Sequence, residues 1–216
     1  MRDEYHEQLD SVGHTLAEMA ELVGQALSRA TRALLEADLA VAEAVIAADD
    51  AVDSLHRELD VRTLDLMARQ QPVARDLRTL VTSLRMSADL ERMGDLARHI
   101  AKVARMRHPE CAIPEELRAT FVTMGEIGTE LAQKVADLIE NKDIEIARTL
   151  EAQDDAVDAL HRQVFTVLLS QEYPYAIETA IDVTLLSRYY ERFADHAVSV
   201  AHRLVFLVTG ETVETK

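Results

Sequence analysis

Apolar residues recur every three or four positions over long stretches of this chain. In the first stretch the steps alternate between three and four, which keeps the apolar side chains on one face of an α-helix. The positions are Leu9, Val12, Leu16, Met19, Val23, Ala26, Ala30 and Ala33. A fourth stretch repeats the pattern at Leu117, Phe121, Met124, Ile127, Leu131, Val135 and Leu138. Both stretches predict long helices that bury one face in a bundle.

Five short segments interrupt these patterns and divide the chain into six predicted helices. The interruptions are EAD at Asp38, QQP before Val73, RHPECAIP around Pro109 and Pro114, NKD before Ile144, and EYPY around Pro174. Proline disfavours a helical conformation for the residue before it, and Asp38 and Asp143 have side chains suited to cap new helices. Only 6 Gly and 4 Pro occur in 216 residues, so the windows between the breaks are long. The expected fold class is all-α.

The chain contains an internal duplication. DDAVDSLHRE, which starts at Asp49, recurs 105 residues later as DDAVDALHRQ, and ERMGD at Glu91 recurs 100 residues later as ERFAD. The second copy has therefore lost five residues around its middle turn. We expect two tandem, homologous three-helix bundles, at residues 1–108 and 112–216. Short connections make neighbouring helices antiparallel, so the acidic motifs of the second and third helices of each unit can face each other.

Some of these acids lie where a bundle normally has apolar side chains. Asp49 falls on the same helical face as Val45 and Val52, and Glu91 and Asp95 continue the apolar face of the third helix. Two carboxylates four residues apart repel each other, and partial burial costs several kcal/mol per ion. Protonation, pairing with arginine or a bound cation could each offset this cost.

The residues do not decide fully between arginine and a cation. Two acid–arginine pairs have the helical spacing of four, at Asp53–Arg57 and Asp158–Arg162. Arg92 and Arg192, however, are expected to turn away from the acidic faces, which leaves much of each cluster unpaired. The pattern favours a cation between the second and third helices of each unit, because oxygens four residues apart can chelate from adjacent turns.

Two histidines lie three residues after an acid, at Asp53–His56 and Asp158–His161. Diiron carboxylate bundles use the same spacing with glutamate, so both histidines are possible extra ligands. A histidine on a half-apolar face can equally be a hydrogen-bonded core residue. Carboxylate oxygens suit Mg, Ca, Mn or iron, and a histidine ligand would shift the preference toward iron, zinc or nickel.

The composition of the chain excludes some classes of binding partner. The net charge of -16, from 39 acidic and 23 basic residues, argues against binding to nucleic acid or an anionic bilayer. The single Cys111 allows no intrachain disulfide, and the acidic opening MRDEYHEQLD lacks the features of a signal peptide. No apolar stretch reaches the roughly 20 residues of a membrane span, and no GxxxxGK[ST] or GxGxxG motif occurs. We expect a cytosolic protein without a nucleotide-binding loop.

The duplicated motifs resemble those of the PhoU family of phosphate-uptake regulators. The matching segments are ARQQPVARDLRTLVTSLRMSADLERMGDLARHIAK and SRYYERFADHAVSVAH. The resemblance implies transition-metal ions, such as iron or zinc, bound at paired acid-x-x-x-Asp motifs. Carried over by position, these are Asp49, Asp53, Glu91, Asp95, Asp154, Asp158, Glu191 and Asp195. Relatives often carry Asn where this chain has His99 and Ser199, so metal identity and occupancy are expected to differ between the two sites.

The resemblance also implies regulation rather than catalysis. Such proteins restrain the phosphate-starvation response by coupling the high-affinity phosphate ABC transporter, through its ATPase subunit, to a membrane sensor histidine kinase. They act in the cytoplasm at the inner face of the membrane and are often homodimers. Two alternatives remain open on the residues: a carboxylate-bridged diiron enzyme built on the DxxH pairs, and a metal-free helical adaptor.

Overall fold

The structure is a computed structural model that describes residues 2–170 and 174–212, and it consists of six helices over these residues. They are α1 (Arg2–Glu36), α2 (Leu39–Gln70), α3 (Ala74–Arg107), α4 (Glu115–Asn141), α5 (Glu145–Leu168) and α6 (Ile177–Thr209). The described residues contain no strand. The predicted all-α class with six long helices is confirmed.

The helix ends follow the predicted breaks. Asp38 caps α2, because its Oδ1 accepts a hydrogen bond of 3.0 Å from the backbone N–H of Val41. Asp143 lies two residues before the start of α5, whose N-cap is Ile144, and its Oδ1 accepts a bond of 3.1 Å from the N–H of Glu145. The break predicted at EYPY falls partly outside the described residues, and α6 begins after Pro174.

A single apolar core runs through both halves of the chain. Val12, Leu16 and Met19 of the α1 seam are at most 1% exposed, and burial of each such side chain contributes about 1.5–3 kcal/mol. The hydroxyls of Thr31 on α1 and Tyr190 on α6 lie 2.8 Å apart inside this core. The boundaries at 1–108 and 112–216 stay a prediction, since the two three-helix units share their interior. None of the described helices is long and apolar enough to cross a membrane.

Helices α1 and α4 approach each other closely at two glycines. A Cβ atom on Gly125 would lie 2.5 Å from Cγ2 of Thr31, and one on Gly128 would lie 2.5 Å from Cδ2 of Leu27. Real Cβ contacts are longer, so a larger residue would push the two helices apart. The first helices of the two repeats therefore form the spine of the molecule.

Helices α3 and α6 also join the two repeats, through two sets of ion pairs. Arg107 Nε lies 2.5 Å from Asp182 Oδ2, and Asp89 accepts from His196 Nδ1 at 3.1 Å and from Arg203 Nε at 2.6 Å. Burial alone would raise the pKa of Asp89, but these two partners lower it overall. Ion pairs as well as apolar packing therefore hold α3 in position against α6.

Candidate metal centre

Each repeat gathers its four predicted acids between its second and third helices. In the first repeat, Asp49 and Asp53 on α2 face Glu91 and Asp95 on α3, close enough for their charges to interact. Burial is the main cause that raises the pKa of Asp49 and of Glu91, and the neighbouring carboxylates raise both further. The structure therefore brings together the residues that the duplicated sequence predicted to meet.

Arg98 lies between the acids of the first repeat. Its Nη1 is 2.5 Å from Oδ2 of Asp49, and its Nη2 hydrogen-bonds to Oδ1 of Asp95. The contact with Asp49 is an ion pair without hydrogen-bond alignment, so this buried oxygen accepts no hydrogen bond. Asp49 is only 7% exposed, and its pKa stays raised because burial outweighs the attraction of Arg98. One guanidinium group thus links α2 to α3.

The expected orientation of Arg92 is wrong. Arg92 Nη1 lies 3.1 Å from Oδ2 of Asp95, and its Nε lies 3.6 Å from Oε2 of Glu91, because the long side chain bends back along its own helix. Its counterpart Arg192 is exposed and forms no ion pair among the described residues. Arg92 therefore contacts both α3 acids of the first cluster, but its side chain is 62% exposed, so these pairs contribute little.

The acid–arginine pairs predicted at a spacing of four differ between the repeats. Arg57 Nε donates to the backbone oxygen of Asp53 at 3.1 Å, and not to its carboxylate. Arg162 Nη1 lies 3.5 Å from Oδ2 of Asp158, but the Arg162 side chain is 67% exposed. An exposed pair of this kind contributes little, so it does not remove the charge of the second cluster.

The second repeat has a more strongly perturbed cluster. Burial, followed by the charges of Asp195, Asp158, Asp155 and Glu191, raises the pKa of Asp154 to about 6. Burial is also the main cause that raises the pKa of Glu191. Asp154 Oδ1 and Glu191 Oε2 are buried and have no hydrogen-bond partner. These two oxygens are the least satisfied acceptors of the candidate site.

The bases near this cluster stay on the same helices as their acids. Arg188 pairs with Oε1 of Glu191 within α6, and Arg162 pairs with Asp158 within α5. The position that corresponds to Arg98 is occupied by Val198, which is half-buried against the core. In the described part of the chain, no lysine or arginine of the second repeat forms ion pairs with acids of both helices.

Both candidate histidines make the same hydrogen bond. His56 Nδ1 lies 2.7 Å from Oγ of Ser87, and His161 Nδ1 lies 2.9 Å from Oγ of Ser187. Sequence reasoning missed these serines, although each precedes its ER motif by four residues. His56 Nε2 lies 3.8 Å from Asp60 Oδ2. The serine bonds orient both rings and leave Nε2 as the nitrogen for any ligand, so metal binding by either histidine stays a prediction.

His99 and His202, which have no counterpart in the other repeat, contact residues outside the four-acid clusters. The His99 ring packs against Tyr189 of α6, with 5.4 Å between ring centroids, and His202 Nε2 lies 2.9 Å from Oε1 of Glu151. Burial lowers the pKa of His99 below that of an exposed imidazole. His99 therefore belongs to the contact between the repeats.

The donor set of the second repeat fits a divalent cation better than that of the first. Over residues 2–170 and 174–212, no three His, Cys, Asp or Glu side chains are arranged as a formed metal site. The second cluster nevertheless presents two buried carboxylate oxygens without partners, beside two further acids. Such hard oxygen donors suit divalent cations. In the first cluster, Arg98 already occupies the position between the helices.

Comparison with known proteins agrees with the motifs and with the fold. The family described as PhoU domain matches residues 16–104 and 121–204. The chain is 48% identical over 210 residues to the phosphate-specific transport system accessory protein PhoU homolog 2 of Mycobacterium tuberculosis, covering 97% of this chain and 99% of that protein. It is 30% identical to the PhoU homolog of Pseudomonas aeruginosa, covering 97% of this chain and 87% of that protein.

Two solved structures have the same architecture. The crystal structure of PhoU from Pseudomonas aeruginosa superposes with a TM-score of 0.86 at 28% identity, covering 96% of this chain and all of that chain. The phosphate transport system regulatory protein PhoU from Streptococcus pneumoniae superposes with a TM-score of 0.87 at 24% identity, covering 98% of this chain and 100% of that one, which shows the fold alone. The predicted resemblance is confirmed: the chain belongs to the PhoU family.

Proposed function

We propose that this protein is an accessory regulator of phosphate transport. The observation that carries the proposal is the match over 97% of the chain, at 48% identity, to a protein named as a phosphate-specific transport system accessory protein. Relatives with that name occur in several bacteria, and the duplicated motifs lie inside the matched region. The proposed role is regulatory, without a chemical reaction of its own.

The finer proposal concerns its partners. The protein restrains the phosphate-starvation response by contacting the ATPase subunit of the phosphate ABC transporter and a sensor histidine kinase, as a homodimer at the cytoplasmic face of the membrane. The net charge of -16 supports docking on basic protein surfaces and argues against nucleic acid as a partner. The absence of a phosphate-cradling glycine loop in the sequence supports a role that depends on the partner's ATPase.

We also propose that the acidic clusters hold divalent metal ions. The support is physical: Asp49, Glu91, Asp154 and Glu191 all have raised pKa values, mainly because burial disfavours their charged forms. A cation bound by the folded state alone would relieve this cost and stabilise the fold. Asp53, Asp95, Asp158 and Asp195 would supply the remaining oxygen donors. Nε2 of His56 and of His161 is the nitrogen that each serine bond leaves free.

A deletion strain tests the regulatory role. Affinity-tagged protein should retain the ATPase subunit and the kinase from phosphate-replete cells, and its deletion should raise expression of phosphate-starvation genes. Complementation with the double variant Asp154→Asn, Asp195→Asn, compared with the exposed control Asp10→Asn on α1, measures whether the acidic cluster is needed. Retention of neither partner, together with unchanged gene expression in the deletion strain, would reject the proposal. Purified protein should show no ferrous oxidase turnover, which separates it from a diiron enzyme.

A further inference from the structure

The two repeats neutralise equivalent acids by different means. In the first repeat a guanidinium joins the helices, since Arg98 contacts Asp49 of α2 at 2.5 Å and hydrogen-bonds to Asp95 of its own helix. The Asp49 side chain is 5% exposed and that of Asp95 is 16% exposed, so the link is screened from water. A partly buried positive group between two acids is what a bound cation would otherwise provide.

The second repeat has the acids without this link. Val198 replaces the arginine at the equivalent position and packs half-buried against the core. The arginines beside this cluster pair only within their own helix, Arg162 with Asp158 and Arg188 with Glu191. Among the described residues, no ion pair joins the carboxylate of Asp154 to a lysine or arginine, and the strongest charges around it are those of four acids, Asp195, Asp158, Asp155 and Glu191.

Buried carboxylate oxygens without hydrogen-bond partners are a second observation that points to a positive ligand in the second cluster. Glu191 is 9% exposed, and Arg188 occupies only its Oε1, so Oε2 is buried without a partner. Its charge interacts with those of Asp158 and Asp195, which places it within the cluster. Asp154 contributes a second buried oxygen without a hydrogen bond. Unsatisfied buried carboxylate oxygens are costly, and a divalent cation between the two helices would satisfy both.

We propose that a divalent cation between α5 and α6 does for the second repeat what Arg98 does for the first, so that the chain binds such a cation at the second cluster only. The inference rests on the metal binding proposed above and restricts it to one of the two clusters, so it replaces the expectation of a metal ion in both repeats. A cation at the first cluster would have to displace a guanidinium that already holds two carboxylates. At the second cluster it displaces no group that bridges the helices.

Titration with Mn²⁺, first of the wild type and then of variants at equivalent positions of the two repeats, tests the proposal. Mn²⁺ serves as the probe, because it prefers oxygen donors and its binding can be followed by calorimetry and by electron paramagnetic resonance. After chelator treatment and dialysis, the wild-type protein is expected to bind about one Mn²⁺ per chain, in the octahedral oxygen site that this ion prefers. Asp195→Asn should abolish binding, and the equivalent change Asp95→Asn should leave it in place.

Exchanging the residues at positions 98 and 198 should change which cluster binds Mn²⁺. Val198→Arg supplies the missing guanidinium and should weaken Mn²⁺ binding about a hundredfold, the scale on which a desolvated charge pair competes. Arg98→Val should create a second site, for a total of about two Mn²⁺ per chain. Circular dichroism establishes that each variant is folded, and if Arg98→Val fails to fold, Val198→Arg still decides.

The outcomes separate the two proposals. Two Mn²⁺ per wild-type chain, or one that is lost on Asp95→Asn and kept on Asp195→Asn, would overturn the inference while leaving metal binding intact. Undiminished binding by folded Val198→Arg would also overturn it. No binding by the wild type would reject the metal proposal itself, and with it the asymmetry.

Discussion

Replacement of Asp154 by Asn should stabilise the metal-free protein. The pKa of Asp154 is raised from 3.8 to about 6, so the folded state holds this proton more tightly than the unfolded chain does. Stability therefore falls as the pH rises from about 4 to about 6, because ionisation in the folded state becomes increasingly costly. The neutral amide avoids that cost, and the gain should be complete above pH 6 and absent near pH 4.

The size of the gain follows from the shift. Two pKa units correspond to about 3 kcal/mol, and water around the half-buried carboxylate reduces this to about 2 kcal/mol. In a chain of this length, that is about 4–8 °C in Tm. Asn and Asp have similar helix propensities, so α5 itself should be unaffected.

The assay is urea unfolding followed by circular dichroism, in the presence of a chelator, between pH 4 and pH 8. Asp10, which is exposed on α1, provides a control of the same charge change, and Asp10→Asn should alter stability by less than about 0.5 kcal/mol. With Mn²⁺ at about a hundred times its Kd, the wild type should gain about 2.7 kcal/mol and overtake Asp154→Asn. A variant that is no more stable than the wild type at pH 8 without metal would refute the reasoning about this carboxylate.

Three further expectations concern the packing around the clusters. Arg98→Met should lower the free energy of unfolding by about 2 kcal/mol, because it leaves a buried carboxylate unpaired; an unchanged urea midpoint would contradict the assigned ion pair. Gly125→Ala should destabilise by about 1–3 kcal/mol, because its Cβ would meet Thr31, whereas Gly13→Ala, with no atom within 4 Å, should be neutral or stabilise by up to about 1 kcal/mol. Thermal unfolding compares these two, and equal effects would argue against the close approach of α1 and α4. Ser187→Ala should cost about 1 kcal/mol in chemical denaturation and should change the imidazole tautomer seen by NMR, since it removes a 2.9 Å hydrogen bond; an unchanged tautomer would count against that bond.

The helices and their acidic faces could be predicted because both depend on local periodicity. An apolar step of three and four residues specifies one buried face, and proline or a capping aspartate specifies where a helix stops or starts. The duplication then placed Asp49 and Glu91, and their counterparts, on facing helices. The role of Arg98 could be predicted only in part. Its pairing with Asp95 follows from a helical spacing of three, but its contact with Asp49 depends on how α2 packs on α3.

Contacts between distant segments were beyond the sequence argument. Tyr190 and Thr31 are 159 residues apart, and nothing local indicates that they share a hydrogen bond inside a common core. The pairing of His161 with Ser187 likewise depends on the register between α5 and α6. Side-chain partners across helices are set by tertiary packing, so they have no signature within a single helix. The duplication itself was the one usable signal, since both serines recur with it.

Crystals grown without chelator and exposed to Mn²⁺ provide the most direct test of the central claim, through anomalous difference density. The account predicts a peak between α5 and α6, among the carboxylates of Asp154, Asp158, Glu191 and Asp195, and Arg98 in place between Asp49 and Asp95. Density that shows only water and arginine beside the second cluster would contradict it, as would a metal peak of equal height at both clusters.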